Sequence, residues 1–240
     1  MIRLLIILSL IVGGLVIAFF ATVVISNLQF IRLKADKYTD ADRWKFVSWL
    51  TGWAGPLLTR SRTEIEGLDK LDADKLETGV IYANHQSICD VFSILKVLKR
   101  QHAYIAKKEI GNIFLLKRGM RLVRCEFLDR DDPRAAVKTI NSAAKTVKEG
   151  ILMVIFPEGT RAVRAPLGTF KAGSFKVALK AKAPIVPMTI YNSYEVGERW
   201  PRRTTVKIKV HDPVPYEQYK DMDTHEVARM VEEIVKQELI

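Results

Sequence analysis

Residues 84–90 read Asn-His-Gln-Ser-Ile-Cys-Asp. They follow a short apolar run, residues 79–83, and precede a longer periodic one. His85 is the only side chain in this stretch whose ordinary pKa lies near neutrality. Asp90 is a carboxylate able to hold that imidazole in one tautomer and to stabilise the imidazolium formed when it takes up a proton. On a single helix, steps of about 100° per residue would put the two side chains on different faces. The pair can therefore meet only if His85 sits in the turn before the helix. The same letters also fit a helix start without chemistry, because Ser87-x-x-Asp90 ahead of an apolar run is a capping box with Ser87 at N-cap. This stretch leaves both readings open. The free N–H groups of a helix start attract anions, which serves the chemical reading as well.

A second constellation follows the apolar run 151–156 and reads Phe156-Pro157-Glu158-Gly159-Thr160-Arg161. Gly159 lets backbone approach a ligand closely. Arg161 can fork onto a phosphate or carboxylate, and Glu158 can accept hydrogen bonds from hydroxyl groups. A plain turn with a local Glu–Arg ion pair fits the same residues. No acidic residue occurs between Gly159 and Tyr194, where Arg161, Arg164, Lys171, Lys176, Lys180 and Lys182 stand uncompensated. Lys107, Lys108, Lys117, Arg118, Arg121 and Arg124 form another basic cluster, with Arg130 behind it in Phe127-Leu128-Asp129-Arg130.

The chain has 240 residues and a formal net charge of +11, with 48% apolar and 27% charged residues. That is ample for a core and too apolar for disorder. The charge excess suits nucleic acid, an anionic membrane or an acidic substrate. Nucleic acid is disfavoured, because the tryptophans cluster away from the basic residues. Cys89 and Cys125 make neither a disulfide framework nor a metal-ligand spacing, and a reducing compartment is the simpler assumption.

The elements that must position these residues alternate between strand and helix. Residues 61–78 read as an edge strand and a polar loop. Strands are expected at 80–83, 103–106, 124–127, 151–156, 185–190 and 205–210. Helices are expected after residue 87, with Ile88, Val91, Phe92, Leu95 and Leu98 on one face, from Asp132-Pro133 to Gly150, near 173–182, and over 224–239 opened by Thr224. Such alternation predicts an α/β layered domain with a central, largely parallel sheet flanked by helices. Sites in such folds gather where strands end and helices begin.

Ahead of this domain, residues 4–25 carry no charge, about 33 Å of helix and enough to cross a hydrocarbon core. Arg3 precedes the run; Arg32, Lys34 and Lys37 follow it. That bias predicts a membrane location with the bulk of the chain, the α/β domain, on the cytoplasmic side. Trp44, Trp49 and Trp53 then suggest a second, amphipathic helix at the bilayer interface. The expected division is 1–60, N-terminal membrane-anchoring helices, and 61–240, the α/β domain. Whether the first helix spans or stays in one leaflet is open.

Taken together, these residues resemble the glycerolipid acyltransferase family, most closely its 1-acylglycerol-3-phosphate acyltransferase branch. The first motif, with His and Asp separated by four residues, is matched by Asn84, His85, Ser87 and Asp90. The second centres on an arginine after a strand, here Phe127-Leu128-Asp129-Arg130. The third, Phe-Pro-Glu-Gly-Thr-Arg, is matched letter for letter at 156–161, and Ile185-Val186-Pro187-Met188 is similar to the fourth. The Ala106-Lys107-Lys108-Glu109 segment also looks like the family's. The resemblance covers roughly residues 79–190.

It implies that His85 is the general base, oriented by Asp90, and that the sn-2 hydroxyl of lysophosphatidic acid attacks a fatty acyl thioester directly to give phosphatidic acid. By the same inference Arg130 and Arg161, with Lys107, hold the acceptor's phosphate, and Glu158, Gly159 and Thr160 complete the acceptor site. The implied co-substrate is acyl-CoA or acyl carrier protein, with no cofactor and no metal. The implied partners are the phospholipid bilayer and lysophosphatidic acid, not nucleic acid. Another lysophospholipid is an alternative acceptor. Cys89 as a thiol nucleophile and a non-enzymatic protein that binds anionic lipid are the rival readings.

Overall fold

The computed structural model describes residues 38–162, 167–199 and 201–239, with Gly14, Ile25, Leu28, Gln29 and residues 31–33. The expected N-terminal span lies almost wholly outside the described residues, as do Arg164 and the side chain of Trp53. No helix among the described residues is long and apolar enough to cross a membrane.

In chain order the elements are α1 (Asp40–Thr59), β1 (Ser61–Glu66), β2 (Val80–Ala83), α2 (Cys89–Val97), β3 (His102–Lys107), α3 (Phe114–Leu122), β4 (Glu126–Leu128), α4 (Pro133–Lys148), β5 (Leu152–Ile155), α5 (Lys176–Ala181), β6 (Ile185–Tyr191), α6 (Glu195–Glu198), β7 (Thr204–Val210), α7 (Tyr216–Tyr219) and α8 (Thr224–Gln237). The strands form one sheet in the order β1-β7-β6-β2-β5-β3-β4. The pairs β6–β2, β2–β5, β5–β3 and β3–β4 are parallel, as is β1–β7; β6–β7 alone is antiparallel. The central, largely parallel sheet expected from the alternation is therefore present. Five adjacent strands run the same way, so their C-terminal ends share one edge.

Burial explains the order. β2, β5 and nearly all of β6 are buried on both faces, as their continuous apolar letters require of central parallel strands. β1 alternates half-buried with exposed and stands at an edge. α4 starts as its letters dictate: the Asp132 carboxylate accepts from the Arg134 and Ala135 amides at 2.9 and 3.1 Å, with Pro133 behind it.

Several expectations are corrected. The strand expected at 124–127 begins two residues later, because Arg124 takes φ 65 and Cys125 N–H bonds back to the Met120 carbonyl, closing α3 first. α8 is capped by Asp223, not Thr224: the aspartate accepts from the amides of His225 and Glu226 while Glu226 takes the Asp223 N–H. In α2 the buried residues are Cys89, Asp90, Ser93 and Ile94, whereas Ile88 is 53% exposed. The rest of the apolar stripe read from the letters is divided: Leu98 is in the core and Val91 and Leu95 pack against it, while Phe92 lies against Gly55 of α1. α1 is correspondingly less of a surface helix than expected. Trp44 is in the core, edge-on to the His102 ring at 5.7 Å, whereas Trp49, 66% exposed, faces out.

His102 carries a pH dependence. It is 1% exposed, with Nδ1 on the Arg100 carbonyl at 2.7 Å and Nε2 on the Tyr104 hydroxyl at 3.2 Å. Burial lowers its pKa from 6.5 to about 4. The unfolded chain thus binds a proton that the folded one refuses, so stability falls as pH drops from about 6.5 toward about 4, by ~3 kcal/mol in total. Urea unfolding across that range is expected to show this loss, and His102→Gln to flatten it. An unchanged slope in the variant would remove His102 from the account.

Candidate active site

β2 and β5 are neighbours and parallel, with Tyr82 opposite Ile155, so the loops that follow them leave the sheet side by side. The first loop is held from behind. The Asn84 side chain, 2% exposed, donates to the Ile190 carbonyl at 2.9 Å and accepts from the Ile190 amide at 2.7 Å, imitating a strand residue against β6. Gln86 Oε1 accepts from the Ser193 amide at 3.2 Å. His85 is thus fixed between two anchored neighbours.

Asp90 is wholly buried. Its Oδ2 accepts from His85 Nδ1 at 2.6 Å, from the Gln86 amide at 2.7 Å and from the Ser87 amide at 2.9 Å. The last contact is one half of the capping box expected of Ser87. The other half is missing: Ser87 Oγ accepts from Cys89 N–H, and Asp90 N–H goes to the Ser87 carbonyl. One carboxylate oxygen therefore starts the helix and holds the imidazole. An oxygen that accepts two backbone N–H groups is an acceptor toward the ring too, so the network assigns the proton to Nδ1. Nε2 is left with its lone pair. The His85 side chain is 18% exposed and stacks on Phe156, ring centroids 4.1 Å apart. This arrangement can take a proton from a hydroxyl brought to Nε2.

The second loop grips the first. Glu158 Oε1 accepts the His85 amide at 2.7 Å, and the Ala162 amide donates to the His85 carbonyl at 2.8 Å. Glu158 Oε2 takes the Gly168 amide at 2.9 Å, and the residue is 4% exposed. Burial raises the Glu158 pKa, with the two amide bonds opposing. Both of its oxygens are spent on backbone. Gly159 sits at φ 73, which only glycine adopts without strain, and a β-carbon there would meet the heads of Arg130 and Lys171. Thr160 and Arg161 follow and are exposed.

Arg130 arrives on the loop after β4 and donates to the Gly159 carbonyl. Its loop is held by Lys108, whose ammonium meets Asp129 at 2.8 Å and Asp131 at 3.1 Å; those carboxylates push the Lys108 pKa up. Lys107 is exposed and pairs with Glu109 at 3.2 Å. His85, Asp90, Glu158, Gly159 and Arg130 are therefore brought into one contact network, and Thr160 and Arg161 continue its turn. Lys107 shares the edge without a contact to that network among the described residues. The letters did not single out Lys108 or Lys171. Arg130 flanked by Asp129 and Asp131 was a signal that a further cation must settle that loop. Cys89, 5% exposed, has its thiol pKa raised by burial first and by Asp90 in addition.

Asn84→Ala would leave both backbone groups of Ile190 without the side-chain partner that now satisfies them. The expected cost is roughly 2–4 kcal/mol in urea unfolding, with turnover reduced as well. Unchanged stability would contradict the clamp.

Comparison with known proteins bears on this geometry. The model of the acyltransferase family matches residues 62–191, more than half of the chain. The chloroplastic 1-acyl-sn-glycerol-3-phosphate acyltransferase of Brassica napus is 32% identical over 158 residues, 64% of this chain and 45% of that protein. The human 1-acyl-sn-glycerol-3-phosphate acyltransferase beta is 34% identical over 144 residues, 57% of this chain and 50% of that one. The chain spans about half the length of the curated relatives it matches. The crystal structure of the 1-acyl-sn-glycerophosphate acyltransferase PlsC of Thermotoga maritima superposes with a TM-score of 0.74 at 26% identity, covering 93% of this chain and 90% of that one. With both the motifs and the fold accounted for, the chain belongs to the acyltransferase family.

Proposed function

We propose that this protein transfers a fatty acyl chain from an acyl thioester to the sn-2 hydroxyl of lysophosphatidic acid, giving phosphatidic acid. The observation that carries the reading is the 2.6 Å contact of His85 Nδ1 with a buried Asp90 oxygen already filled by two backbone amides, which leaves Nε2 as a base at the cleft. The names of the relatives support the acceptor.

In this mechanism Nε2 of His85 takes the hydroxyl proton as the acceptor oxygen attacks the thioester carbonyl. The imidazolium is stabilised by Asp90. The tetrahedral intermediate collapses, the C–S bond breaks, and the thiolate of CoA or acyl carrier protein receives the proton back from His85. Ester and thiol are the products, and no acyl-enzyme forms. Arg130 and Arg161 bind the acceptor's phosphate. Lys107 stands on the same edge and adds to the field. Glu158 acts as the clamp on His85, and the Gly159–Thr160 turn sets the floor for the glycerol. Cys89 is a poor rival nucleophile, since burial disfavours its thiolate.

The reading places the protein on a phospholipid bilayer, cytoplasmic domain outward from the N-terminal helices. Support comes from α3, where Ile113 just before it and Phe114 and Leu116 on it are 58%, 64% and 44% exposed beside Lys117, Arg118 and Arg121. Apolar groups among cations suit an anionic lipid surface.

Purified protein offered lysophosphatidate with acyl-CoA or acyl carrier protein is expected to yield phosphatidate by mass spectrometry. His85→Ala and Asp90→Asn should lower kcat by ~10²–10⁴-fold, while Cys89→Ser keeps turnover. No product from wild type with either donor, or full activity of His85→Ala, would defeat the proposal.

A further inference from the structure

Arg130 and Lys171 come from distant parts of the chain, yet both end over Gly159. A β-carbon built on that glycine would lie 3.1 Å from Lys171 Nζ and 3.2 Å from Arg130 Cζ. The two cationic heads are therefore no further apart than the sum of those distances. The turn holds the Arg130 head and the Lys171 backbone. Arg130 donates to the Gly159 carbonyl, and the Lys171 amide donates to the Pro157 carbonyl at 3.0 Å.

Two like charges this close repel unless an anion offsets them. Among the described residues no carboxylate does so. Asp129 and Asp131 are taken by Lys108. Glu158 is turned inward onto the His85 and Gly168 amides. No acidic residue follows until Glu195. Both heads are exposed, on the turn that grips His85. Arg161, two residues further along that turn, is exposed as well, so three cations stand on or beside the turn where one would offset a single phosphate charge.

We propose that Lys171 determines acceptor specificity: paired with Arg130 over Gly159, it reads the second negative charge of a phosphate monoester and so favours lysolipids ending in a monoester over lysolipid phosphodiesters. This rests on the acyl-transfer reading above. A monoester carries a charge between about −1.5 and −2 at neutral pH because its second ionisation lies near 6. A phosphodiester holds one charge throughout that range. Lys171 contacts the phosphate and takes no part in the proton transfer at His85.

The test uses two inhibitors of the full-length enzyme: a 1-alkyl-2-deoxyglycerol 3-phosphate, which lacks the reacting hydroxyl, and its methyl phosphodiester. The ratio of their inhibition constants cancels the ionisation of His85. Wild type should prefer the monoester by roughly tenfold or more, with the preference growing as pH rises through about 6. Lys171→Met should bring the ratio close to one and flatten its pH dependence. Lys171→Arg should keep both. Lys171 is exposed, so the variants should fold, which an unchanged melting temperature would verify. If wild type turns over lysophosphatidate but Lys171→Met keeps the ratio and its pH dependence, or weakens both inhibitors equally, the inference falls alone. If wild type neither turns over nor binds either inhibitor, the acyl-transfer reading falls with it.

Discussion

One oxygen atom, Asp90 Oδ2, organises this protein's cleft. It closes the first turn of α2 by taking the Ser87 amide, holds the Gln86 amide, and takes His85 Nδ1. The carboxylate is buried, so its charge is costly unless such donors surround it. The same burial makes it a firm partner for the imidazole. A helix start and a hold on the imidazole are one structure here, and both contacts meet in a single atom. The other oxygen, Oδ1, is buried without a hydrogen-bond partner among the described residues, so the orientation of His85 depends on Oδ2 alone.

The sheet supplies what the local motif cannot. Because β2, β5, β3 and β4 are parallel neighbours, their exits carry His85, the 156–161 turn, Lys108 and Arg130 along one edge. Glu158 and Ala162 then hold the backbone of His85 by its N–H and its carbonyl. Burial keeps Glu158 at that task. Arg130 stays at the surface, its head on the Gly159 carbonyl and its loop held by the ion pairs of Lys108. The division has physical sense: the His85 imidazole stacks on Phe156, and the charged groups face solvent.

Much of this was legible in the letters. Element order follows from apolar runs and from caps such as Asp132-Pro133, which need only local contacts. The likeness of the two junctions at 84–90 and 156–161 was visible, because each follows an apolar run of strand length. What stayed hidden was non-local. Nothing in the sequence says that β2 lies between β5 and β6, and the Asn84 clamp on Ile190 depends on it. Trp44 read as an interfacial residue because tryptophan serves either role; its contact with His102 decided for the core. Phe92 on α2 met Gly55 of α1 while Leu98 entered the core, a division of one stripe that no periodicity could tell. Lys171 stood in a run of cations that looked alike until the turn at Gly159 chose one of them. Even Cys89, which invited a thiol mechanism, needed its burial to be seen.

The central claim is that Asp90 fixes His85 with its proton on Nδ1 and a free pair on Nε2. Nitrogen-15 NMR of histidine-labelled protein near neutral pH reads this directly. The account predicts that the His85 resonances show a protonated Nδ1 and an unprotonated Nε2, and that Asp90→Asn abolishes this preference. A His85 protonated on Nε2 in the wild type, or a tautomer indifferent to Asp90, would contradict it.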